Sequence, residues 1–377
     1  MKIALVHDWL TGMRGGEKVL ETLCEIFPSA EVYTLVYIKG SVSKIIESKR
    51  IYTSFLQNFP NVEKYYRYYL PLMPFAIEQF DLSGYDLVIS SSHCVAKGVK
   101  VGKNTLHICY CHTPMRYIWD MYEVYFGKDS RANFVTKILM KVLRKPLQNW
   151  DINSSKNVNY FVANSFNVKE RIKRIYNREA EVVYPPVDTD FFVPSLESKK
   201  DYYLTVSAFA PYKKINIVIE ASNELGFPLK IIGSGQQEDY LKSLAKNKNI
   251  EFLGWVENEK LRYYYQNAKA LIFPAEEDFG IVPVEAQACG TPVIAYKKGG
   301  ALETVVEGET GIFFEEQTPQ SVIKAIEKFE KMSFDKQKIR NNALKFSKQV
   351  FVERIKNFVE NIWQSCKRSV ETKFNLS

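Results

Sequence analysis

The chain has 377 residues and a formal net charge of +8 at pH 7, and 46% of its residues are hydrophobic while 25% are charged. A typical domain has about 100–200 residues, so the length favours two domains. The composition excludes collagen-like, low-complexity and wholly disordered proteins, and the positive charge is compatible with nucleic acid, anionic lipid or a phosphorylated substrate.

The N-terminal apolar stretch is short because His7 and Asp8 interrupt it, and no other run approaches the roughly 20 apolar residues of a membrane span. We therefore expect a cytoplasmic protein with no cleaved leader and no membrane-spanning segment. The six cysteines have no CxxC spacing, which argues against a disulfide framework or a zinc ribbon. Cys109, Cys111 and His112 are close in sequence but lack an evident fourth ligand, so we expect no metal there.

The first half of the chain alternates short β-branched runs with helical stretches. The predicted strands are at 2–6, 30–36, 85–90, 105–111, 159–163 and 181–183, and the predicted helices include 16–26 and 166–176. This alternation predicts a parallel sheet covered by helices on both faces. Residues 37–84 interrupt it with aromatic, proline-containing sequence. We interpret them as an insertion or a helical subregion that faces a ligand or a membrane, although ordinary core and surface aromatic residues explain the composition equally well.

Residues 128–145 predict an amphipathic basic helix. Six cations occupy its polar side, and the apolar residues that recur at helical spacing are Phe134, Ile138, Leu139, Val142 and Leu143. Such a helix suits an anionic membrane surface that holds a polyprenyl-diphosphate-linked acceptor. A helix packed on the core with a solvated basic face is the alternative.

Residues 184–188, with the sequence Tyr-Pro-Pro-Val-Asp, mark the clearest domain boundary because consecutive prolines forbid a continuous helix. A second series follows, with strands at 202–207, 229–232, 250–253, 270–273 and 292–295, helices at 214–226, 236–246, 257–267 and 283–289, and further helices after 318. We predict two doubly wound α/β domains, 1–187 and 188–350, with the ligand between them at the carboxyl ends of the strands. The amphipathic stretch 335–368 predicts a last helix, and we expect residues 351–377 to cross back onto the first domain.

The segment 273–295 carries the densest chemical signal. Glu277 lies in a loop after a predicted strand, and Gly280 precedes a helix that Pro283 opens. The start of this helix offers unpaired N–H groups and a positive dipole end, which suit a phosphate. Glu277 and Glu285 can accept hydrogen bonds from the vicinal hydroxyls of a sugar or a ribose. Each acid taken alone is equally compatible with a solvated surface residue.

This segment resembles the E-x7-E motif of the retaining family-4 nucleotide-sugar glycosyltransferases, which have the GT-B fold of two Rossmann-like domains facing a central cleft. Glu277 and Glu285 match the two acids, and the flanking pattern FG-x-x-P-x-EA-x-A-CG-x-PVIA also matches. The resemblance extends over nearly the whole chain, through residues 7–10, 14–20, 112–117, 184–188 and 211–214. Within the family, the chain is most similar to GDP-mannose-dependent mannosyltransferases of O-antigen and exopolysaccharide assembly, and the donor identity rests on this resemblance.

The resemblance implies roles for individual residues. Glu285 would bind the ribose, Glu277 and His112 would contact the donor sugar, and Lys213 would stabilise the leaving diphosphate, so that His112, Glu277 and Lys213 are the implied catalytic residues. The implied donor-binding residues are Gly15, Gly16, Ser207, Lys213, Gly233, Phe279, Gly280, Ile281, Val282 and Glu285. Plain turns explain the glycine pair at 15–16 and the loop 233–235 equally well.

One position departs from the family pattern, because many members have an arginine five residues before the lysine where this chain has Ala208. The loss of one charge-assisted phosphate contact leaves open a weak enzyme, compensation by another cation, or a non-catalytic copy. Asp188 and Asp190 spell the DxD motif by which other glycosyltransferases bind manganese, but their place on the interdomain link favours a turn or capping role. We expect no metal and no cofactor besides the nucleotide-sugar donor.

These features together favour a retaining transferase that moves a hexose, mannose by resemblance, from a nucleoside diphosphate to a glycan or polyprenyl-diphosphate-linked acceptor at the inner face of the cell membrane. The resemblance implies retention through same-face attack, with a leaving-phosphate oxygen accepting the proton of the acceptor hydroxyl. Two alternatives stay open: a catalytically weakened sugar-nucleotide-binding subunit, suggested by Ala208, and a GT-B-fold sugar-nucleotide epimerase. We expect no nucleic-acid partner because the basic helix belongs to no recognisable recognition module.

Overall fold

The computed structural model describes residues 1–128, 130, 132–195 and 201–374, with side chains described as far as residue 365. The chain divides into two compact units. The first unit comprises Met1–Pro186 together with Lys348–Ser377, and the second comprises Val187–Ser347.

The first unit alternates strands and helices along the chain. Its strands are β1 (Ile3–His7), β2 (Glu31–Thr34), β3 (Ile51–Thr53), β4 (Asp81–Leu82), β5 (Leu87–Ser92), β6 (Lys100–Val101), β7 (Leu106–Cys111), β8 (Tyr160–Ala163) and β9 (Ala180–Val182). Its helices up to the boundary are α1 (Gly15–Ile26), α2 (Lys44–Glu47), α3 (Val62–Tyr65), α4 (Met73–Glu78), α5 (Tyr122–Phe126), α6 (Phe134–Ser155) and α7 (Phe166–Tyr176), with a 3-10 segment at Tyr66–Leu72 between α3 and α4.

Seven of these strands form one parallel sheet in the order β3-β2-β1-β5-β7-β8-β9. All residues of β1, β5 and β7 are buried, as expected for strands covered on both faces. The strand order reverses between β1 and β5. Ligands of open parallel sheets bind outside the carboxyl ends of the strands at such a switch point, so the loops after β1 and β5 define the place to search for a site in this unit.

The second unit repeats the alternation. Its elements are β10 (Tyr203–Val206), α8 (Ile215–Leu225), β11 (Leu229–Ile232), α9 (Glu238–Leu244), β12 (Ile250–Gly254), α10 (Asn258–Asn267), β13 (Ala270–Phe273), α11 (Ile281–Ala288), β14 (Val293–Tyr296), α12 (Ala301–Thr304), β15 (Gly311–Phe314), α13 (Pro319–Phe329) and α14 (Lys336–Leu344). The strands form a parallel sheet in the order β12-β11-β10-β13-β14-β15, which reverses between β10 and β13. The prediction of two doubly wound, Rossmann-like α/β domains is confirmed.

The stretch predicted as one helix at 335–368 is two helices, α14 and α15 (Lys348–Phe374). The helix is interrupted between them because Phe346 and Ser347 pair with Val187. The Val187 amide donates a 3.0 Å hydrogen bond to the Phe346 carbonyl, and Val187 forms a β-bridge with Ser347. The apolar side of α15 packs into the core of the first unit through Phe351, Ile355, Val359 and Ile362.

Two further predictions need correction. Residues 37–84 are only partly an insertion, because β3 pairs in register with β2 as the edge strand of the main sheet. The basic helix starts at Phe134 rather than at 128, since the Asn133 side chain caps it by accepting a 2.8 Å hydrogen bond from the Thr136 amide, and it continues past Pro146 to Ser155. Asp129 and Arg131 of the predicted range lie outside the described residues. Across the described residues, no helix combines the length and apolarity that membrane crossing requires.

Candidate functional site

Three polar side chains meet at the carboxyl ends of neighbouring strands in the first unit. His7 ends β1, Ser91 lies at the end of β5, and His112 directly follows β7. The Ser91 hydroxyl is 3.1 Å from Nδ1 of His7 and 2.8 Å from Nε2 of His112. Burial, together with the imidazoles of His93 and His7, lowers the pKa of His112 to about 3. His112 is therefore a neutral imidazole at physiological pH, able to donate or accept a hydrogen bond.

An ion pair between buried Asp8 and the partly exposed His93 lies beside this group. The Asp8 carboxylate accepts hydrogen bonds of 2.6–3.0 Å from four successive backbone amides, those of residues 93–96, and lies 3.0 Å from Nδ1 of His93. Burial alone would raise the pKa of Asp8, but the imidazole of His93, that of His7 and the backbone amide of His93 hold it well below its usual range. Burial alone would likewise lower the pKa of His93, but the Asp8 carboxylate raises it above 6.5. Asp8 and His93 were missed as site residues, because only the strand order brings together loops more than 80 residues apart.

The predicted glycine pair opens α1 next to these histidines. A Cβ atom on Gly16 would lie 3.3 Å from Cε1 of His7 and 3.7 Å from Nε2 of His112, whereas one on Gly15 would meet nothing within 4 Å. Glu17 accepts a 3.0 Å hydrogen bond from the Arg14 amide and lies 3.7 Å from Nε2 of His7. The structure therefore brings Gly16 and His112 together, with the start of a 12-residue helix beside them.

In the second unit, the switch point between β10 and β13 brings together two of the predicted catalytic residues. The Lys213 ammonium group forms an ion pair with the Glu277 carboxylate, and the two side chains are 13% and 23% exposed. Lys213 ends a 3-10 turn after β10, and Glu277 lies in the loop after β13. A cation and a carboxylate in contact at this place offer one group for a phosphate and one for sugar hydroxyls.

Helix α11 starts at this loop, with Gly280 as its N-cap in the left-handed region at φ +82°. The amides of its first turn, at Ile281 and Val282, have no partner within the helix by geometry, and the helix dipole places positive charge there. Glu285 is 3% exposed, and its Oε2 atom accepts a 3.1 Å hydrogen bond from the Tyr265 hydroxyl. The alternative interpretation of Glu285 as a solvated surface residue is therefore wrong.

The side chain of Phe279 is buried, and its ring centroid lies 5.5 Å from that of Phe346. Phe279 can therefore present its backbone to a ligand more readily than its ring.

The loop 233–235 has one backbone amide that is already engaged within the second unit. The Gly233 amide donates a 2.9 Å hydrogen bond to the carbonyl of Gly254, so it is not open to a phosphate. A glycine is needed there because φ is +143° and a Cβ atom would lie 1.9 Å from the Ser207 carbonyl oxygen. The Ser207 amide in turn donates to the Ile232 carbonyl over 3.0 Å. The close approach of the loops after β10 and β11 therefore accounts for the glycine at position 233 and for the hydrogen bond of the Ser207 amide.

A second glycine pair, which sequence reasoning missed, supports the loop of Glu277. The Gly300 amide donates a 2.8 Å hydrogen bond to the Glu277 carbonyl. A Cβ atom on Gly300 would lie 2.3 Å from Cα of Phe279, and one on Gly299 would lie 2.4 Å from the Glu277 carbonyl oxygen. The preceding Lys298 forms a 3.2 Å ion pair with Glu276. A Lys-Lys-Gly-Gly sequence at the carboxyl end of β14 is the signal that could have identified this contact.

The Asp188 side chain serves a turn, because its Oδ1 atom accepts a 3.0 Å hydrogen bond from the Phe191 amide. Among the described residues, no group of three or more His, Cys, Asp or Glu side chains is arranged to hold a metal ion. Cys109 and Cys111 are buried free thiols.

Both units are Rossmann-like, and the switch point of the second holds the Lys213–Glu277 pair beside the first-turn amides of α11. This combination defines a GT-B-type α/β transferase. Residues 13–191 match the family described as Glycosyltransferase Family 4, and residues 186–346 match the family described as Glycosyl transferases group 1. The chain belongs to these glycosyltransferases.

Two curated relatives and one solved structure illustrate the similarity. The O-antigen chain mannosyltransferase RfbU of Salmonella typhimurium is 30% identical over 52% of this chain and 56% of its own length. The GDP-mannose-dependent alpha-(1-6)-phosphatidylinositol monomannoside mannosyltransferase of Mycolicibacterium smegmatis is 30% identical over 34% of this chain and 41% of its own length. HepE of Anabaena, solved in complex with UDP and glucose, has 18% identity and a TM-score of 0.67 over 96% of this chain and 99% of its own, which supports the fold alone. The chain spans only 56–62% of the length of the first three curated relatives.

Proposed function

We propose that the protein transfers mannose from GDP-mannose to a glycan or polyprenyl-diphosphate-linked acceptor in the assembly of a cell-surface polysaccharide, with retention of configuration at the transferred sugar. The observation that carries the proposal is the Lys213–Glu277 ion pair, which lies at the switch point of the second sheet beside the start of α11. The names of two relatives, an O-antigen chain mannosyltransferase and a GDP-mannose-dependent mannosyltransferase, support the choice of sugar and nucleotide. UDP-glucose is the competing donor, because the HepE structure contains UDP and glucose.

In the proposed reaction, the bond between the anomeric carbon and the phosphate oxygen breaks while a bond from the acceptor oxygen to that carbon forms on the same face. The proton of the acceptor hydroxyl passes to an oxygen of the leaving diphosphate. Lys213 and the first-turn amides of α11 stabilise the negative charge that develops on the diphosphate. Glu277 holds hydroxyls of the donor sugar, and a contact of the neutral imidazole of His112 with the donor sugar rests on the family resemblance.

Glu285 binds the ribose in this proposal. Glu285→Ala should abolish most nucleotide affinity while the protein stays folded, because the ribose loses its carboxylate acceptor. Tyr265→Phe is the matched control, since it removes the hydrogen bond to Glu285 but keeps the acid. A donor screen by thermal shift with GDP-mannose, UDP-glucose and an ADP-sugar, followed by calorimetry of the best ligand, tests the proposal. Failure of every sugar nucleotide to bind the wild-type protein would overturn it, and unchanged binding by Glu285→Ala would overturn the ribose assignment.

The acceptor side of the proposal includes an anionic membrane surface at the first half of α6. Five apolar side chains there are 47–75% exposed, namely Phe134, Val135, Ile138, Leu139 and Val142. Lys141 and Lys145 on the same stretch are exposed. An exposed apolar stripe beside cations suits the interface of an anionic bilayer.

Flotation with phosphatidylglycerol vesicles should recover the protein, and phosphatidylcholine vesicles should recover much less. Val142→Asp should abolish recovery, whereas Leu302→Asp, at a residue that is 53% exposed in the second unit, should not. Equal recovery of Val142→Asp and Leu302→Asp with the phosphatidylglycerol vesicles would show that α6 is not the membrane-binding surface.

A further inference from the structure

A basic pocket lies in the first unit, and none of the residues that line it is assigned above to the donor. It has a volume of about 220 Å³ and is bounded by the loop after β1, with Thr11 and Arg14, and by the segment that begins at α3, with Glu63, Lys64 and Arg67. This volume is below the roughly 300–1,000 Å³ of pockets for drug-sized ligands, so it suits a small head group.

The charge of the pocket favours an anion. Three cations, Arg14, Lys64 and Arg67, face one carboxylate, Glu63. Within the part of the chain that the structure describes, none of the three cations forms an ion pair with a carboxylate. Lys64 lies 5.3 Å from the ring centroid of its neighbour Tyr65. Such cations form their strongest hydrogen bonds with phosphate or carboxylate oxygens.

The wall of the pocket is held in place by a buried phenol. Tyr66 is 5% exposed, and its hydroxyl accepts hydrogen bonds from Oγ1 of Thr11 at 3.2 Å and from Nε of Arg67 at 3.1 Å. The Arg67 guanidinium also lies 5.3 Å from the Tyr66 ring centroid. Because Nε is used in this way, the terminal nitrogens of Arg67 remain to bind an oxyanion in a fixed orientation.

Tilted and edge-on ring contacts connect Tyr66 of the pocket wall to the histidine group. The Trp9 ring centroid lies 5.3 Å from that of Tyr66 and 4.6 Å from that of His93, and the His93 centroid lies 6.3 Å from that of His112. Arg14 directly precedes the glycines that open α1. A ligand anchored in the pocket could therefore extend toward His112, which the proposed function assigns to the donor sugar.

We propose that this pocket binds the phosphate or diphosphate group of the acceptor, an inference that rests on the proposed transferase function. The chain that directly follows the pocket residue Arg67 exposes apolar side chains, with Tyr68 67% and Phe75 62% exposed. This surface favours a diphosphate that carries a prenyl chain over a free sugar phosphate, because aromatic side chains suit the membrane interface.

Calorimetric titration with inorganic pyrophosphate and with geranyl diphosphate tests the pocket. The titrations are made in the wild-type protein and in a Lys213→Gln background, which removes the cation assigned to the donor diphosphate. Lys64→Glu should weaken binding of both probes by about tenfold or more, because a charge-assisted contact becomes a repulsive one. Arg67→Gln should act in the same direction. Lys103→Glu is the matched control, because Lys103 is also exposed in the first unit but lies outside the pocket.

Selective weakening in Lys64→Glu and Arg67→Gln supports the pocket. Tighter binding of geranyl diphosphate than of pyrophosphate then assigns it to a lipid-linked acceptor, and equal binding assigns it to a soluble phosphate. If the pocket variants bind both probes as tightly as Lys103→Glu, or if the Lys213→Gln background binds neither, the inference is overturned. Hydrolysis of the sugar nucleotide without acceptor is measured separately, so a failure of the transferase proposal is distinguishable from a failure of the pocket.

Discussion

Nε2 of His112 lies 2.8 Å from the hydroxyl oxygen of Ser91. The same oxygen is 3.1 Å from Nδ1 of His7. A hydroxyl has one proton to donate and two lone pairs to accept with, so at most one of the two imidazoles accepts from Ser91 and at least one donates to it. Ser91 therefore couples the tautomers of the two histidines, because both rings cannot accept from it at the same time.

Ser91→Ala should lower kcat while leaving nucleotide affinity unchanged, because His112 loses the hydrogen bond that orients its ring toward the donor sugar. It should also cost about 1–3 kcal/mol of unfolding free energy, since buried His7 loses its partner. Steady-state kinetics, nucleotide calorimetry and urea unfolding measure the three quantities.

Ser90→Ala is the matched control for this change. Ser90 is the preceding residue on β5, and its hydroxyl lies 2.9 Å from Nε2 of His107, another buried histidine. This variant should lose a similar amount of stability but keep its turnover. Equal losses of turnover in both variants would mean that Ser91 acts through folding alone.

The Asp8–His93 pair should give a pH-dependent contribution to stability. Asp8 raises the pKa of His93 above 6.5, so the folded protein binds this proton more tightly than the unfolded chain does. The contribution is therefore fully present below pH 6.5 and is lost as the pH rises through the folded-state pKa. In urea unfolding, the stability difference between the wild-type protein and His93→Gln should be largest below pH 6.5 and shrink at alkaline pH. A difference that stays constant would contradict the assignment of a proton to His93.

Glu277→Ala should reduce turnover more than nucleotide affinity, because its carboxylate is assigned to the donor sugar rather than to the ribose. Calorimetry with GDP and with GDP-mannose separates the two effects: GDP binding should persist while the additional affinity for the sugar falls. Glu276→Ala removes the neighbouring acid, which pairs with Lys298, and should leave both affinities near the wild-type values. Equal losses for GDP and GDP-mannose in Glu277→Ala would move this residue to the nucleotide end.

Local sequence patterns were sufficient to predict the two sheets, because β-branched runs and helical stretches alternate clearly. They were insufficient for β3, which has three residues and follows an irregular loop, and for β15, whose sequence Gly-Ile-Phe-Phe lies between turns. Glu277 and Glu285 were found because eight positions separate them in one motif. Asp8 and His93 were missed because the amides that donate hydrogen bonds to Asp8 lie 85 to 88 positions away in the sequence. Polar residues at the ends of β1 and β5 were a usable signal only once the strand order was known.

Transferase activity should survive chelation of divalent metal ions. In the proposed function, Lys213 and the first-turn amides of α11 stabilise the negative charge of the leaving diphosphate without a metal. The Asp188 carboxylate is already engaged with the Phe191 amide. Transfer assays with and without EDTA, each repeated after addition of Mn²⁺, measure the dependence. Activity that disappears with EDTA and returns with Mn²⁺ would overturn this prediction and restore Asp188 and Asp190 as candidate ligands.

Ala208→Arg should raise turnover with the sugar nucleotide if the missing cation limits stabilisation of the leaving diphosphate. Ala208 is exposed in the loop that connects β10 to the turn containing Lys213, so a longer side chain can be accommodated without displacing the core. A new guanidinium beside Lys213 would form charge-assisted hydrogen bonds that strengthen as the glycosidic bond breaks. The rate of donor hydrolysis or transfer measures the gain.

The competing outcome is a folded but slower Ala208→Arg enzyme, which would mean that another cation already serves the diphosphate. Lys297 forms a 2.6 Å ion pair with Glu315. Lys298 instead pairs with Glu276, which directly precedes the catalytic candidate Glu277. Lys298 is therefore the better candidate for compensation. In that case Lys298→Gln should lower kcat in the wild-type background, and Ala208→Arg should restore it in the double variant. Lys297→Gln, with the same change of charge, should have little effect on kcat.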